Sequence, residues 1–217
     1  MRLPKQKMKP KMKPFETLKT IAVWLCFSHQ VLAQSIPVEV FSGHWAYRYQ
    51  HNFSGQINNR LGISHSSTLL ESYTEKETEI MTQSYLTLSL GKNVKLGLGT
   101  FYASVPGFSP SLNLQFMQKK SNWMWIIVPR IDLKEKPSYD VMAMLECRPQ
   151  LSQTLRLYTR IQLMENFTGS IHNRGYNHIR VGIDLKKIQL GLASGLESYG
   201  KKYEVRDNYG LFFRSEL

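Results

Sequence analysis

Leu155-Arg156-Leu157-Tyr158-Thr159-Arg160-Ile161-Gln162-Leu163 is the stretch that decides the fold. Its odd positions hold Leu155, Leu157, Thr159, Ile161 and Leu163, and its even positions hold Arg156, Tyr158, Arg160 and Gln162. A helix, turning about 100° per residue, cannot keep such a period of two on one face, so the segment is a strand with one apolar and one polar side. His178 to Lys186 repeats the scheme, with Ile179, Val181, Ile183 and Leu185 opposite His178, Arg180, Asp184 and Lys186. The same alternation runs through Leu86, Leu88 and Leu90; Val94, Leu96 and Leu98; Leu112, Leu114 and Phe116; Tyr139, Val141, Ala143 and Leu145; Ile188, Leu190 and Leu192; and Tyr209, Leu211 and Phe213.

Eleven segments can be marked: 43–53, 57–70, 80–90, 94–104, 110–118, 122–132, 138–148, 153–164, 175–185, 188–198 and 204–217. An antiparallel meander that closes on itself needs an even number of strands, so the pattern predicts ten or twelve if it closes, with twelve preferred. The blurred region is 36–80, where Pro37, the Ser-rich His65 to Thr68 and the acidic Glu71 to Glu79 interrupt the alternation. Connections fall into two classes. Gly91 to Asn93, Lys119-Lys120, Pro149 to Gln153 and Lys186-Lys187 are short. Ser104 to Pro110, Lys134 to Ser138, Asn166 to Tyr176 and Tyr199 to Asn208 are longer and polar. Short and long alternate along the chain, as in an up-and-down meander. Face parity then predicts that Leu90 opposes Val94, Phe116 opposes Trp123, Ile183 opposes Leu190 and Glu146 faces Arg156.

Alternating strands build either a soluble sandwich or lipocalin-like barrel, with the apolar face inside, or a transmembrane barrel, with the apolar face against lipid. Three features favour the second. The segments are about as long as the 9 to 11 residues a membrane strand needs. The polar face is rich in Gly97, Gly99, Gly182, Gly191, Gly195 and Gly210, which suits a crowded interior. Aromatic residues such as Trp45, Trp123, Trp125, Tyr139 and Tyr209 gather near strand ends, where the girdles of such barrels lie.

The 217 residues carry 28 Lys and Arg against 16 Asp and Glu, a net charge of +12. Much of this sits in the first residues, MRLPKQKMKPKMK, ahead of the short apolar stretch Thr20 to Phe27 and of Val31-Leu32-Ala33. A basic start, a short apolar core and small residues before a cleavage point make a secretory signal peptide, expected to end at Ala33. Residues 34–42 form an N-terminal segment and 43–217 the barrel. Removing residues 1–33 leaves a net charge of +6, which takes away the case for nucleic acid as a partner. Cys26 would leave with it, so Cys147 would be the single thiol. No cofactor is expected.

The last strand reads Asn208-Tyr209-Gly210-Leu211-Phe212-Phe213-Arg214-Ser215-Glu216-Leu217. With the export signal and the meander, it makes the chain resemble outer-membrane β-barrel proteins of Gram-negative bacteria. It departs from their terminal pattern in ending on Leu217 rather than an aromatic residue and in carrying Ser215 where an apolar residue is usual. The resemblance implies an outer-membrane location, with membrane lipid and, through that last strand, the barrel-assembly machinery as partners, and small solutes as possible cargo.

The polar face places Arg130, Asp132, Asp140, Glu146, Arg148, Arg156, Arg160, Arg180, Asp184, Glu197, Arg214 and Glu216 inside such a barrel. Charges there must be paired or wet. They form a structural network or the lining of a narrow pore, and a non-enzymatic, structural or porin-like protein is the function expected. A lipid hydrolase of the phospholipase or lipid A deacylase type is the alternative, with His65 and Ser67, two residues apart on one face, as base and nucleophile. A soluble periplasmic lipocalin-like binding barrel is a further one, against which Arg156 and Arg160 argue. No metal site is expected: Glu71 to Glu79 is a solvated run, and His172 and His178 have no metal-ligand spacing.

Overall fold

The alternating segments become twelve antiparallel strands in the computed structural model, which describes residues 36–74 and 78–217. They are β1 (Pro37–Gly43), β2 (Ala46–Gln56), β3 (Leu61–Ser72), β4 (Thr78–Ser89), β5 (Val94–Ala103), β6 (Gly107–Lys119), β7 (Trp123–Asp132), β8 (Ser138–Cys147), β9 (Arg156–Thr168), β10 (Ile171–Asp184), β11 (Ile188–Tyr199) and β12 (Glu204–Glu216). Each pairs with its neighbours in sequence, and β1 pairs with β12 from Pro37↔Glu216 to Gly43↔Gly210, closing the barrel. Backbone bonds between Ile36 and Leu217 extend this seam past the strand ends. Closure leaves no unpaired sheet edge. The expected export segment, residues 1–33, lies outside the described residues.

The strand missed by the sequence pattern is β1. It falls almost wholly within residues 34–42, expected to be a separate N-terminal segment, because Pro37 and the shortness of the strand, 7 residues, hide its alternation. Yet its outward Val40 is 41% exposed while its inward Glu39 and Phe41 are buried, so the barrel begins at Pro37 rather than residue 43.

Three further expectations are corrected. Of the connections expected to be long, Lys134 to Ser138 is one, but the other three are mostly strand. Ile171 pairs directly with Thr168, so residues 169 and 170 alone turn the chain, with Gly169 at φ 60°, where a residue without Cβ is favoured. Likewise β6 begins at Gly107 and β12 at Glu204, because polar residues near a barrel rim keep the ladder even where the alternation fades. In the β6–β7 hairpin, Phe116 opposes Ile127, not Trp123, since the turn is only residues 120–122 and the strands run further toward it. Glu146 opposes Arg160, not Arg156, because the β8–β9 connection is longer than expected, and Arg156 pairs with Gln150 at the rim. Ile183 does oppose Leu190, and Leu90 donates to the carbonyl of Val94.

The barrel is apolar outside and polar inside. Leu86, Leu98, Leu192, Leu211 and Phe213 are each at least half exposed on the outer wall. Arg180, Glu197, Asp132, Asp184 and Gln189 are buried on the inner one. Placing leucines outward and charges inward is favourable only where the outside is not water. This arrangement excludes the soluble lipocalin-like alternative, whose interior would be the apolar side.

Candidate functional site: the barrel interior

Strand parity brings the inner residues together in four ion-pair groups. At the lower rim, the end where Ile36 and Leu217 meet, Glu146 accepts from Arg214 at 2.8 Å and from Tyr158 at 3.0 Å. Arg148 donates to Glu146 at 2.8 Å and to Glu216 at 3.2 Å, and approaches Asp184 at 3.5 Å. Asp184 also accepts from Gln189 at 3.0 Å. Because Glu146 and Arg148 come from β8 and its end while Arg214 and Glu216 come from β12, these contacts tie parts of the wall four strands apart.

Above them, Glu39 on β1 receives Arg160 of β9 at 2.7 Å and Arg180 of β10 at 3.0 Å. Arg180 lies over the Phe41 ring, 4.6 Å from its centroid, and donates to the carbonyls of Ile179 and Ser194. Phe41, Tyr158, Ala193 and Phe212 form the small apolar cluster beside it.

Toward the upper rim, Arg48 of β2 bonds Glu197 of β11 and donates to Nδ1 of His178 at 2.9 Å. The His178 Nε2–H donates to Glu197 at 2.7 Å, which sets its tautomer. Glu197 also receives Arg174 at 2.9 Å. Arg174 pairs on its other side with Glu79 of β4, which accepts from the Tyr199 hydroxyl at 3.0 Å. The Glu79–Arg174 pair therefore spans from β4 to β10 across the upper mouth. A fourth group joins Arg130 to Asp140 and, at 3.3 Å, to Asp132, which accepts from Ser138 at 2.6 Å; Arg130 stacks on Phe101 at 3.4 Å.

Of the charges expected inside, Arg130, Asp132, Asp140, Glu146, Arg160, Arg180, Asp184, Glu197 and Arg214 are buried on the inner wall, and Arg148 and Glu216 are half-buried at its lower end. Arg156 is exposed at the rim, bonded to Gln150 at 3.1 Å. Glu39, Arg48, Glu79, Arg174 and His178 complete the groups but were not found from sequence. Glu39, Arg48 and Glu79 lie in the region where Pro37 and the polar runs blur the period. Arg174 lies in a polar stretch whose pattern reads as a loop, and His178 reads only as a polar-face residue.

A different sector lies on β2 to β6. Gln50, Ser64, Ser66, Thr68, Gln83 and Gln115 are half-buried inner residues, and Asn52 and Ser54 are exposed though they share their face with Arg48. Gln115 of β6 reaches Ser64 of β3 at 3.5 Å, which shows how narrow this part is. The lumen thus has a packed, charged side and a water-accessible side of hydroxyls and amides.

His65 and Ser67 point the other way. Ser64 and Ser66 face inward, so His65 and Ser67 lie on the outer wall, where His65 opposes Phe53 and Ser84, and Ser67 opposes His51. His65 Nδ1 is 2.8 Å from Ser84 Oγ, and its ring stacks on His51 at 5.2 Å. Cys147 is half-buried on the outer wall beside Leu145.

No protein-family model and no curated protein sequence matches this chain. Among solved structures, it is similar to the KdgM porin (11% identity, TM-score 0.48, 84% of this chain and 99% of that one) and to the NanC porin (11%, 0.47, 85% and 100%). It is also similar to the outer membrane protein Omp33 of Acinetobacter baumannii (9%, 0.49, 87% and 100%). Likeness at this level carries no argument, and the architecture rests on this chain's own wall: apolar outside, ion-paired inside and closed, it is a twelve-stranded up-and-down barrel of the transmembrane type.

Proposed function

We propose that this chain is a non-enzymatic outer-membrane barrel that passes small polar solutes through a narrow, one-sided lumen. The observation that carries this is the division of the inner wall. The charges are spent on one another, in groups that tie β1, β2 and β12 to β8–β11. The accessible remainder, from Gln50 to Gln115, offers mainly hydroxyls and amides, with the ammonium of Lys95, opposed to Gln115, at its lower end. Small neutral solutes fit that lining best, and discrimination between anions and cations is weak because no ring of a single charge sign lines the accessible side. The Glu79–Arg174 pair narrows the upper mouth. In planar bilayers the refolded protein gives small stepwise currents, and Glu79→Gln, which leaves Arg174 its bond to Glu197, raises the unit conductance. Silence from both proteins, or a chain that stays soluble without detergent, removes the proposal.

A second reading attaches to the outer wall. Ser84 fixes His65 through Nδ1, as a third group orients the base of a nucleophile–base pair, and Ser67 shares that lipid-facing surface. Such a site would hydrolyse lipid esters. It requires fatty-acid release from phospholipid vesicles that Ser67→Ala abolishes; an inactive wild type, or an active Ser67→Ala, ends it.

A further inference from the structure

We infer that the lumen holds a binding site for a soft monovalent cation, Cu(I) or Ag(I), formed by the thioethers of Met142, Met144 and Met164. The first ground is segregation. All six methionines among the described residues, Met81, Met117, Met124, Met142, Met144 and Met164, lie at inward positions of their strands. The outer wall has many apolar places and fills them with Leu, Ile, Val and aromatic residues instead. If methionine served only as apolar filling, the lipid side would share it.

The second ground is register. Met142 of β8 is directly opposed to Met164 of β9, and Met144 is the next inward residue along β8. Opposed side chains start about 4.5–5.5 Å apart at Cβ and diagonal ones about 7–8 Å. Methionine's three rotatable bonds let sulfurs from such positions converge on one ion. Met124, opposed to Glu146, and Met117, opposed to Ile126, continue the thioether surface around the wall toward β6, and Met117 is 38% exposed, so an ion can reach it.

The third ground is chemistry. Thioethers are neutral and soft, and they select Cu(I) over the harder divalent ions. Among the described residues, no group of three or more His, Cys, Asp and Glu is placed to hold a metal, so nothing comparable competes for a borderline ion. Along β8 the inner face runs Asp140, Met142, Met144, Glu146, with a carboxylate on either side of the sulfur pair. These carboxylates are engaged by Arg130 and Arg148, so they are not left free to ligate a harder divalent ion. The ion is bound without change of oxidation state, and the site does not depend on whether the lumen conducts.

The test uses the full chain, refolded in detergent, with Cys26→Ser and Cys147→Ser so that no thiol competes, titrated calorimetrically with silver nitrate in chloride-free buffer. One saturable site is expected, weakened at least tenfold by M142L/M144L/M164L and unchanged by M81L. As a measurement that needs no methionine variant, the methyl signals of 13C-methionine in the same thiol-free chain should shift for Met142, Met144 and Met164 and not for Met81. Absence of saturable binding, equal affinity in the triple variant, or shifts confined to other methionines overturns the inference.

Discussion

Glu39 holds two guanidiniums, Arg160 and Arg180, in a place where water does not reach. Forming a buried ion pair returns little net stability, but removing one partner strands the other at a cost of about 3–5 kcal/mol. Glu39→Ala strands two, so its loss falls at the upper end of that range. Arg156→Ala, at the exposed rim, changes stability by no more than about 0.5 kcal/mol. Urea unfolding of the refolded protein in detergent micelles, followed by tryptophan emission, measures both. Equal midpoints for Glu39→Ala and the parent would show that these charges are hydrated rather than mutually neutralised. His178 belongs to the same class of residue: wedged between Arg48 and Glu197, it is a structural bridge across the lumen, not a free base.

At the level of the strand, the inner face is shaped by close backbone approach as much as by charge. Gly182 and Gly191 oppose each other across β10 and β11, and a Cβ on Gly191 would lie 2.3 Å from the carbonyl oxygen of Val181 and 2.4 Å from the Cα of Gly182. Gly191→Ala must push the two strands apart, at a cost of about 1–3 kcal/mol, readable in the same urea titration; an unchanged midpoint would mean the approach is not required. The glycines of the polar face were legible in the sequence as marks of crowding, and so was the period of two in β9 to β12, where one face is plainly aliphatic. The period fails where both faces share one character. In β7 the inward Ile126 and Val128 are as apolar as the outward Ile127, and in β2 and β3 the outward His51, His65 and Ser67 are as polar as the inward Asn52 and Ser66. Register failed for a separate reason: parity fixes which face a residue takes but not the turn length, and Glu146 therefore found Arg160 four residues from its expected partner.

For the whole molecule, the decisive property is the inversion of inside and outside, which makes the surrounding medium part of the fold. Trp123 and Trp125 lie on the outer wall near the lower rim, and Trp45 connects β1 to β2 at the other, its indole N–H bonded to the carbonyl of Asp207. In lipid bilayers, the emission of a Trp24→Phe chain should be quenched more strongly by bromines near the headgroups than by bromines at the acyl-chain ends, because interfacial belts hold aromatic side chains at that depth. The reverse order would place the barrel differently in the membrane. Closure of the wall has one more consequence. Ile36 and Leu217 exchange two backbone hydrogen bonds, of 3.0 and 3.1 Å, so the two strands that close the wall are those farthest apart along the chain. A short peptide joining these two residues would turn the wall into a ring without ends, and any of its hairpin turns could then be cut to give new termini, since a circle of neighbour-paired strands has no privileged first strand.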